Sequence, residues 1–175
     1  IATALSVAAC SGAAPAKPRA HESSSASPAE SLPARWWQWA ESAGARSPIS
    51  DATGRDCGVN QPSDVWFLAG TFGGSAERSC AIPENQPVYF PVLNQICEVR
   101  PADRPEQILE SCRVRVDEMR ASLDGHELSI EEATSEGAFT FEAGSDSLLA
   151  LTRGDTATAV AWGQWVGPLR IPAGR

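Results

Sequence analysis

Val65-Trp66-Phe67-Leu68-Ala69-Gly70-Thr71 is an unbroken apolar run of strand length. Successive side chains of a strand leave opposite faces, so a run with no polar member predicts a strand covered on both sides. Gly73-Gly74 behind it predicts a turn, residues 76–82 a second strand, and Pro83-Glu84-Asn85-Gln86-Pro87 a turn into a third, Val88-Tyr89-Phe90-Pro91-Val92-Leu93. Further on, Leu123-Asp124-Gly125-His126 has the chemistry of a hairpin turn. Leu128 and Ile130 alternate with polar residues, Ala138-Phe139-Thr140-Phe141 follows, and short strands are expected at 148–152, 157–166 and 169–171. Many short strands at this spacing predict a mainly β fold, a β-sandwich of immunoglobulin-like or jelly-roll-like type.

Two helices decorate it. Ser31 opens the first, with Pro33 in its first turn and Gly44 past its end. The second is expected over residues 103–120, where Pro105 sits early and Ile108, Leu109, Cys112, Val116 and Met119 recur at near-helical intervals. In the first helix Trp36 and Trp39 share a face, but neighbouring positions lie ~100° apart, so Trp36, Trp37 and Trp39 cannot all point at one core. At least one indole is expected to be exposed, a candidate platform for stacking a sugar. Trp162 and Trp165, three apart in an expected strand, should leave opposite faces, one in the core and one at the surface.

The chain opens with Ile1-Ala2-Thr3-Ala4-Leu5-Ser6-Val7-Ala8-Ala9-Cys10, an apolar run ending in small residues before a cysteine, the pattern of a bacterial lipoprotein signal peptide. Residues 1–9 are then the remnant of that peptide, and Cys10 becomes the lipid-bearing first residue of a membrane-anchored, extracytoplasmic protein. Residues 10–31 contain no aromatic, Val, Ile, Leu or Met. Such a stretch buries too little apolar surface to offset its ordering entropy and predicts a disordered tether with an r.m.s. span of roughly 25 Å. Residues 32–175 form the single folded domain. They end on Ile171-Pro172-Ala173-Gly174-Arg175, a turn with no strand behind it, so a last strand is expected to be missing.

With Cys10 set aside, Cys57, Cys80, Cys97 and Cys112 remain, an even number in an exported chain, which predicts two disulfides. Three connectivities are open; Cys57 to Cys80 and Cys97 to Cys112 are preferred because each closes a local segment. A zinc site is disfavoured, since there is no CxxC and His126 is the only histidine of the folded part. No metal and no cofactor is expected. A net charge of -8, with 22 acidic against 14 basic residues, would repel a phosphate backbone, so nucleic acid is not an expected partner.

The residues that invite a chemical reading are few. Asp51, Asp56 and Asp64 crowd the loop before the apolar strand. They could cap loop amides, form an acid and base pair of glycosidase type, or gather around calcium, although the EF-hand spacing is absent. Gly70-Thr71-Phe72-Gly73-Gly74 follows a strand, but no Lys-Ser/Thr completes a phosphate-binding loop. No Gly-x-Ser-x-Gly occurs, and His126 lies in the hairpin. Arg78, in apolar surroundings, needs a carboxylate or carbonyl fork, with Asp51 or Asp56 as the expected partner.

Trp36-Trp37-Gln38-Trp39, Asp51-Ala52-Thr53-Gly54 with Cys57, the run from Val65 through Gly74, Arg78-Ser79-Cys80-Ala81-Ile82-Pro83 and Tyr89-Phe90-Pro91-Val92-Leu93-Asn94 resemble a family of uncharacterised secreted bacterial proteins. The resemblance is good over residues 35–97 and loose elsewhere. It implies a fold, an export route and one further strand after the terminal turn, and it carries no catalytic residue. The leading expectation is therefore a lipid-anchored, non-catalytic binding or structural module with a glycan or protein ligand. The alternative is a hydrolase of envelope glycans that uses the acidic loop and the Trp platform.

Overall fold

A computed structural model describes residues 31–171. The expected signal-peptide remnant, Cys10 and the tether up to residue 30 lie outside the described residues, as do residues 172–175 of the terminal turn, after which a further strand is expected.

Helix α1 spans Leu32–Ser42, and Pro33 occupies its first turn, where a missing N–H costs nothing. It ends where Gly44 takes a φ of +57° and a 3₁₀ turn, Gly44–Arg46, leads away. The sheet that receives it has five strands: β1 (Trp66–Phe67), β2 (Pro87–Glu98), β5 (Glu131–Thr134), β6 (Phe139–Glu142) and β7 (Thr156–Arg170). β1 runs parallel to β2; β7 is antiparallel to β2 on one side and to both β5 and β6 on the other. Helix α2 (Pro105–Cys112) and a small hairpin, β3 (Ser122–Leu123) with β4 (His126–Glu127), lie between β2 and β5 in the chain. Asp124 and Gly125, both at positive φ, make the two-residue turn of that hairpin as expected.

The mainly β class holds: five strands form a curled mixed sheet, β3 and β4 a separate hairpin, and a helix packs on the larger sheet. The described strands bear out this class and not the finer expectation of a sandwich. α1 packs on β5, β6 and β7, and residues 47–68 close over its other side. Trp36 Nε1 donates to the Leu68 carbonyl at 3.0 Å and Trp39 Nε1 to that of Val59 at 2.8 Å, while Gln38 Nε2 reaches Thr140 O of β6 at 3.0 Å. A helix covered from both sides is apolar around most of its circumference. Trp36, Trp37 and Trp39 are accordingly all buried, at 1%, 4% and 4% exposure, which corrects the expectation of an exposed indole. Trp36 meets Trp165 at 5.8 Å, Trp165 stacks on Tyr89 at 5.0 Å, and Trp39 and Phe67 complete this aromatic core.

The apolar run that predicted a doubly covered strand is buried at Val65, Trp66 and Phe67. The strand is shorter than expected, however, because after Leu68 N donates to Tyr89 O the chain leaves the sheet. The Ala69 and Gly70 carbonyls turn to Arg78 instead. Residues 76–82 form no strand: Ser79 N donates to Thr53 O, and Cys80 is bonded to Cys57, so this segment is tied to the loop before β1 and not to a ladder. β2 runs past its expected end to Glu98, and its register against β7 shifts at Val88/Phe90 and Pro91/Leu93. Irregularities of this kind accommodate a proline that has no N–H to give.

α2 ends at Cys112, eight residues before the expected end, where Cys112 bonds to Cys97 of β2 and Arg113 turns extended. Beyond it Arg113-Val114-Arg115-Val116 alternates with period two, a pattern that competes with the helical spacing of Val116 and Met119. Both disulfides have the expected partners. The expected strands at 157–166 and 169–171 are one, β7, whereas residues 128–130 and 148–152 are not in strands. Trp162 and Trp165 do leave opposite faces, yet both are buried. Trp165 lies in the core around α1. Trp162 and Val160 belong to the other face, where α2 packs on β2 and β7.

β5 and β6 are two halves of one interrupted edge. Thr134 pairs with Trp162 and Phe139 with Ala159, so four residues on one side, 135–138, oppose two on the other. Ser135 bridges this bulge: its N–H donates to Ala161 O at 2.9 Å, its Oγ accepts from Ala161 N at 3.0 Å, and the hydroxyl donates to Gly137 O at 2.5 Å. Glu136 and Gly137 take φ values of +58° and +142° within it.

Candidate functional site

Asp51, Asp56 and Asp64, read as amide caps or alternatively as a catalytic pair or a calcium site, each have their own partners. Asp51 accepts from Thr53 N, Thr53 Oγ1 and Asp56 N at 2.8, 2.7 and 2.8 Å, the arrangement of an Asx-type turn. Those donors hold its pKa down at about 2. Asp56 receives both Nε and a terminal nitrogen of Arg46, at 2.9 and 2.8 Å. Asp64 and Arg35 form a two-pronged pair at 2.9 and 2.6 Å, and this pairing lowers the Asp64 pKa. Each carboxylate is thus spent on its own stretch of backbone or its own arginine. Among the described residues no group of three or more His, Cys, Asp or Glu could hold a metal ion.

Arg78 finds the carbonyl fork and not a carboxylate. It donates from Nε to Asp51 O (2.6 Å), from one terminal nitrogen to Ala69 O and Gly70 O (2.8 and 3.0 Å), and from the other to Ile49 O (2.9 Å). Asp51 is its partner through the main chain, while the Asp51 carboxylate stays in its turn. Arg78 stands in the wall between two cavities, of about 440 and 340 Å³, and holds together the loops that form them.

A larger cleft, of about 510 Å³, opens at the end of the concave face of the sheet. The start of α1 (Ser31, Leu32, Pro33) forms one wall, β5 with its bulge the opposite wall, and Gly167 and Pro168 of β7 close one end. Its floor is the stacked pair Tyr89 and Trp165. Glu131 pairs with Trp165 across the ladder, so both side chains leave the concave face. Glu132, one position on, pairs with Gln164 on the convex face and forms an ion pair with Arg113. Glu136 reaches the cleft because the bulge turns the chain there, a recognised use of bulges beside functional sites.

Three features of this lining point to a ligand. Tyr89 is 3% exposed, yet its hydroxyl has no hydrogen-bond partner among the described residues. Burial pushes its pKa up, so it remains a neutral O–H. Ser31 stands at the N-cap of α1 without capping it, and its Oγ is buried and unpartnered as well. Glu131 and Glu136 have no cationic partner among the described residues, and no Lys, Arg or His lines the cleft. Buried polar atoms are normally satisfied, so the enclosed Ser31 hydroxyl, with the Tyr89 hydroxyl unpartnered among the described residues in the same lining, marks a place for an incoming polar group.

Sequence reasoning passed over Tyr89, Ser31, Glu131 and Glu136. A weak signal existed in Glu136-Gly137, a turn-forming pair set inside an alternating stretch, which is the composition of a bulge. Nothing local distinguishes Tyr89 from any other strand aromatic. Comparison of the chain with family models, with curated proteins and with solved structures finds no match.

Proposed function

We propose that this chain is an extracytoplasmic, non-catalytic binding module, held to a membrane by a lipid on Cys10, that takes a glycan or a protein segment in the cleft floored by Tyr89 and Trp165. The observation that carries the reading is Tyr89, a side chain 3% exposed whose hydroxyl opens on that cleft with no hydrogen-bond partner among the described residues. Two disulfides fit an oxidising compartment outside the cytoplasm, and no helix among the described residues is long and apolar enough to cross a membrane. Attachment would then rest on the Cys10 lipid, and the resemblance to a secreted bacterial family agrees with that address. The hydrolase alternative loses its original support, since Asp51, Asp56 and Asp64 are each engaged elsewhere and the Trp36, Trp37 and Trp39 platform is buried.

The test is a thermal-shift screen of the whole chain against cell-wall glycan fragments and short peptides, beside Tyr89→Phe. A ligand at about 100 times its Kd adds ~2.7 kcal/mol of stability, a shift of several degrees in Tm. The shift should shrink in Tyr89→Phe, which removes the hydroxyl and keeps the ring. An undiminished shift in that variant would refute the assignment of the cleft. Turnover of any glycan by the wild type would refute the non-catalytic reading, and retention in the membrane fraction after Cys10→Ala the lipid anchor.

A further inference from the structure

We infer that the cleft receives a primary ammonium group, an inference that rests on the cleft being the ligand site. Every polar side chain that opens on it without a partner is an acceptor or a hydroxyl: the carboxylates of Glu131 and Glu136, the hydroxyl of Tyr89 and that of Ser31. The one indole N–H of the floor is already used, since Trp165 Nε1 donates to Ala133 O. An ammonium is the complement of such a lining, because it carries three N–H donors and no acceptor. Its charge meets two carboxylates that no arginine, lysine or histidine neutralises among the described residues. Charge alone would equally suit a metal ion, but no cluster of three metal-donor side chains exists among the described residues. Hydroxyl acceptors beside the carboxylates suit an organic ammonium, which makes directional N–H···O bonds to them.

The neighbouring identical residue shows that the charge at this place is selective. Glu132 follows Glu131 directly and also borders the cleft, yet its ladder position turns its side chain to the other face of the sheet, where it is paired with Arg113. The bulge adds a second carboxylate at Glu136, which lines the cleft and makes no ion pair among the described residues.

A primary ammonium reaches a cell surface on an amino sugar or on a lysine side chain, and the same experiment separates these sources. Binding to the whole chain is followed by the Trp165 indole N–H signal in ¹H–¹⁵N spectra, with four probes: glucosamine, N-acetylglucosamine, Nα-acetyllysine amide and the same lysine amide acetylated on Nζ. The inference expects one charged probe to bind at least about tenfold more tightly than its acetylated partner. That preference should vanish in the double variant Glu131→Gln, Glu136→Gln and fade with added salt. Glucosamine as the preferred probe assigns an amino sugar, and the lysine amide a peptide. Equal binding of charged and acetylated probes would overturn the ammonium inference and leave the cleft as a site. No binding of any of the four, with other glycans and peptides still causing a Tyr89-dependent thermal shift, would overturn the ammonium inference alone, whereas loss of that shift too would overturn both readings. Glu131 and Glu136 are exposed and without partners, so the double variant should fold, and an unchanged spectrum of the free protein checks that it does.

Discussion

Arg78 should be the costliest single charged side chain to remove from the loop layer over α1. Its four hydrogen bonds, of 2.6–3.0 Å, join the carbonyls of Ile49 and Asp51 to those of Ala69 and Gly70, in loops also tied by the Ser79 N to Thr53 O bond and the Cys57–Cys80 bond. A hydrogen bond to a charged group contributes about 1.5–3 kcal/mol when dry, but water can reach the carbonyls from the two cavities that flank Arg78, so about 1 kcal/mol per bond is the better figure. Arg78→Ala should then destabilise by about 4 kcal/mol. For a domain of this size that lowers Tm by roughly 12 °C. Arg78→Lys is the sharper experiment, because an ammonium has no planar fork and cannot serve four carbonyls on two segments at once. It should recover less than half of the loss. Urea denaturation followed by Trp fluorescence, with the disulfides intact, gives both numbers from the shift in midpoint. A loss below about 1 kcal/mol in Arg78→Ala, or a lysine variant as stable as the wild type, would refute the reasoning.

Gly163→Ala places a Cβ 2.6 Å from Trp165 Nε1 and 2.7 Å from Leu93 O. The indole must move, so a destabilisation of about 1–3 kcal/mol is expected, together with a displaced Trp165 indole resonance. Replacing Cys97 and Cys112 by Ala opens the 15-residue loop that includes α2 and should cost about 3 kcal/mol, read by calorimetry against the wild type. Glu41, 1% exposed, accepts from Ser147 Oγ at 2.8 Å and leaves its other oxygen unpartnered, and burial raises its pKa. The folded state therefore holds this proton above the pH at which the unfolded chain releases it, so the Glu41 contribution to stability falls as pH rises from about 4.5 through the folded pKa. Glu41→Gln should flatten that fall and be the more stable protein at neutral pH. A wild-type stability profile that instead rises with pH at this position, relative to the Gln variant, would contradict the burial argument.

Much of the fold was legible because its signals are local. Pro33 and Pro105 mark helix starts by the geometry of one residue, Asp124-Gly125 marks a hairpin by its tolerance of positive φ, and the two disulfides close short segments. The misplaced elements share a physical cause in contacts made far along the chain. Residues 76–82 have strand composition but are tied down by Arg78, Cys80 and Ser79, each to a partner more than twenty residues away in the chain. The three indoles of α1 could not be sorted into buried and exposed from their spacing, because the rule that one must be exposed assumes one covering layer and the chain supplies two.

Glu131 and Glu132 mark the division most clearly. The sequence by itself determined a mainly β class, its two helix starts and its hairpin, since the starts and the turn depend on a few neighbouring atoms, and it favoured two local disulfides without deciding their connectivity. Only the tertiary structure decided that the register of β5 on β7 sets Glu131 beside Trp165 and Glu132 opposite Gln164, within reach of Arg113. The same packing set Tyr89 in the lining of the cleft with its hydroxyl unpartnered among the described residues. One residue of slip in that ladder would exchange the two faces, so the chemistry of the cleft is a property of long-range register, which no local stretch of this chain contains.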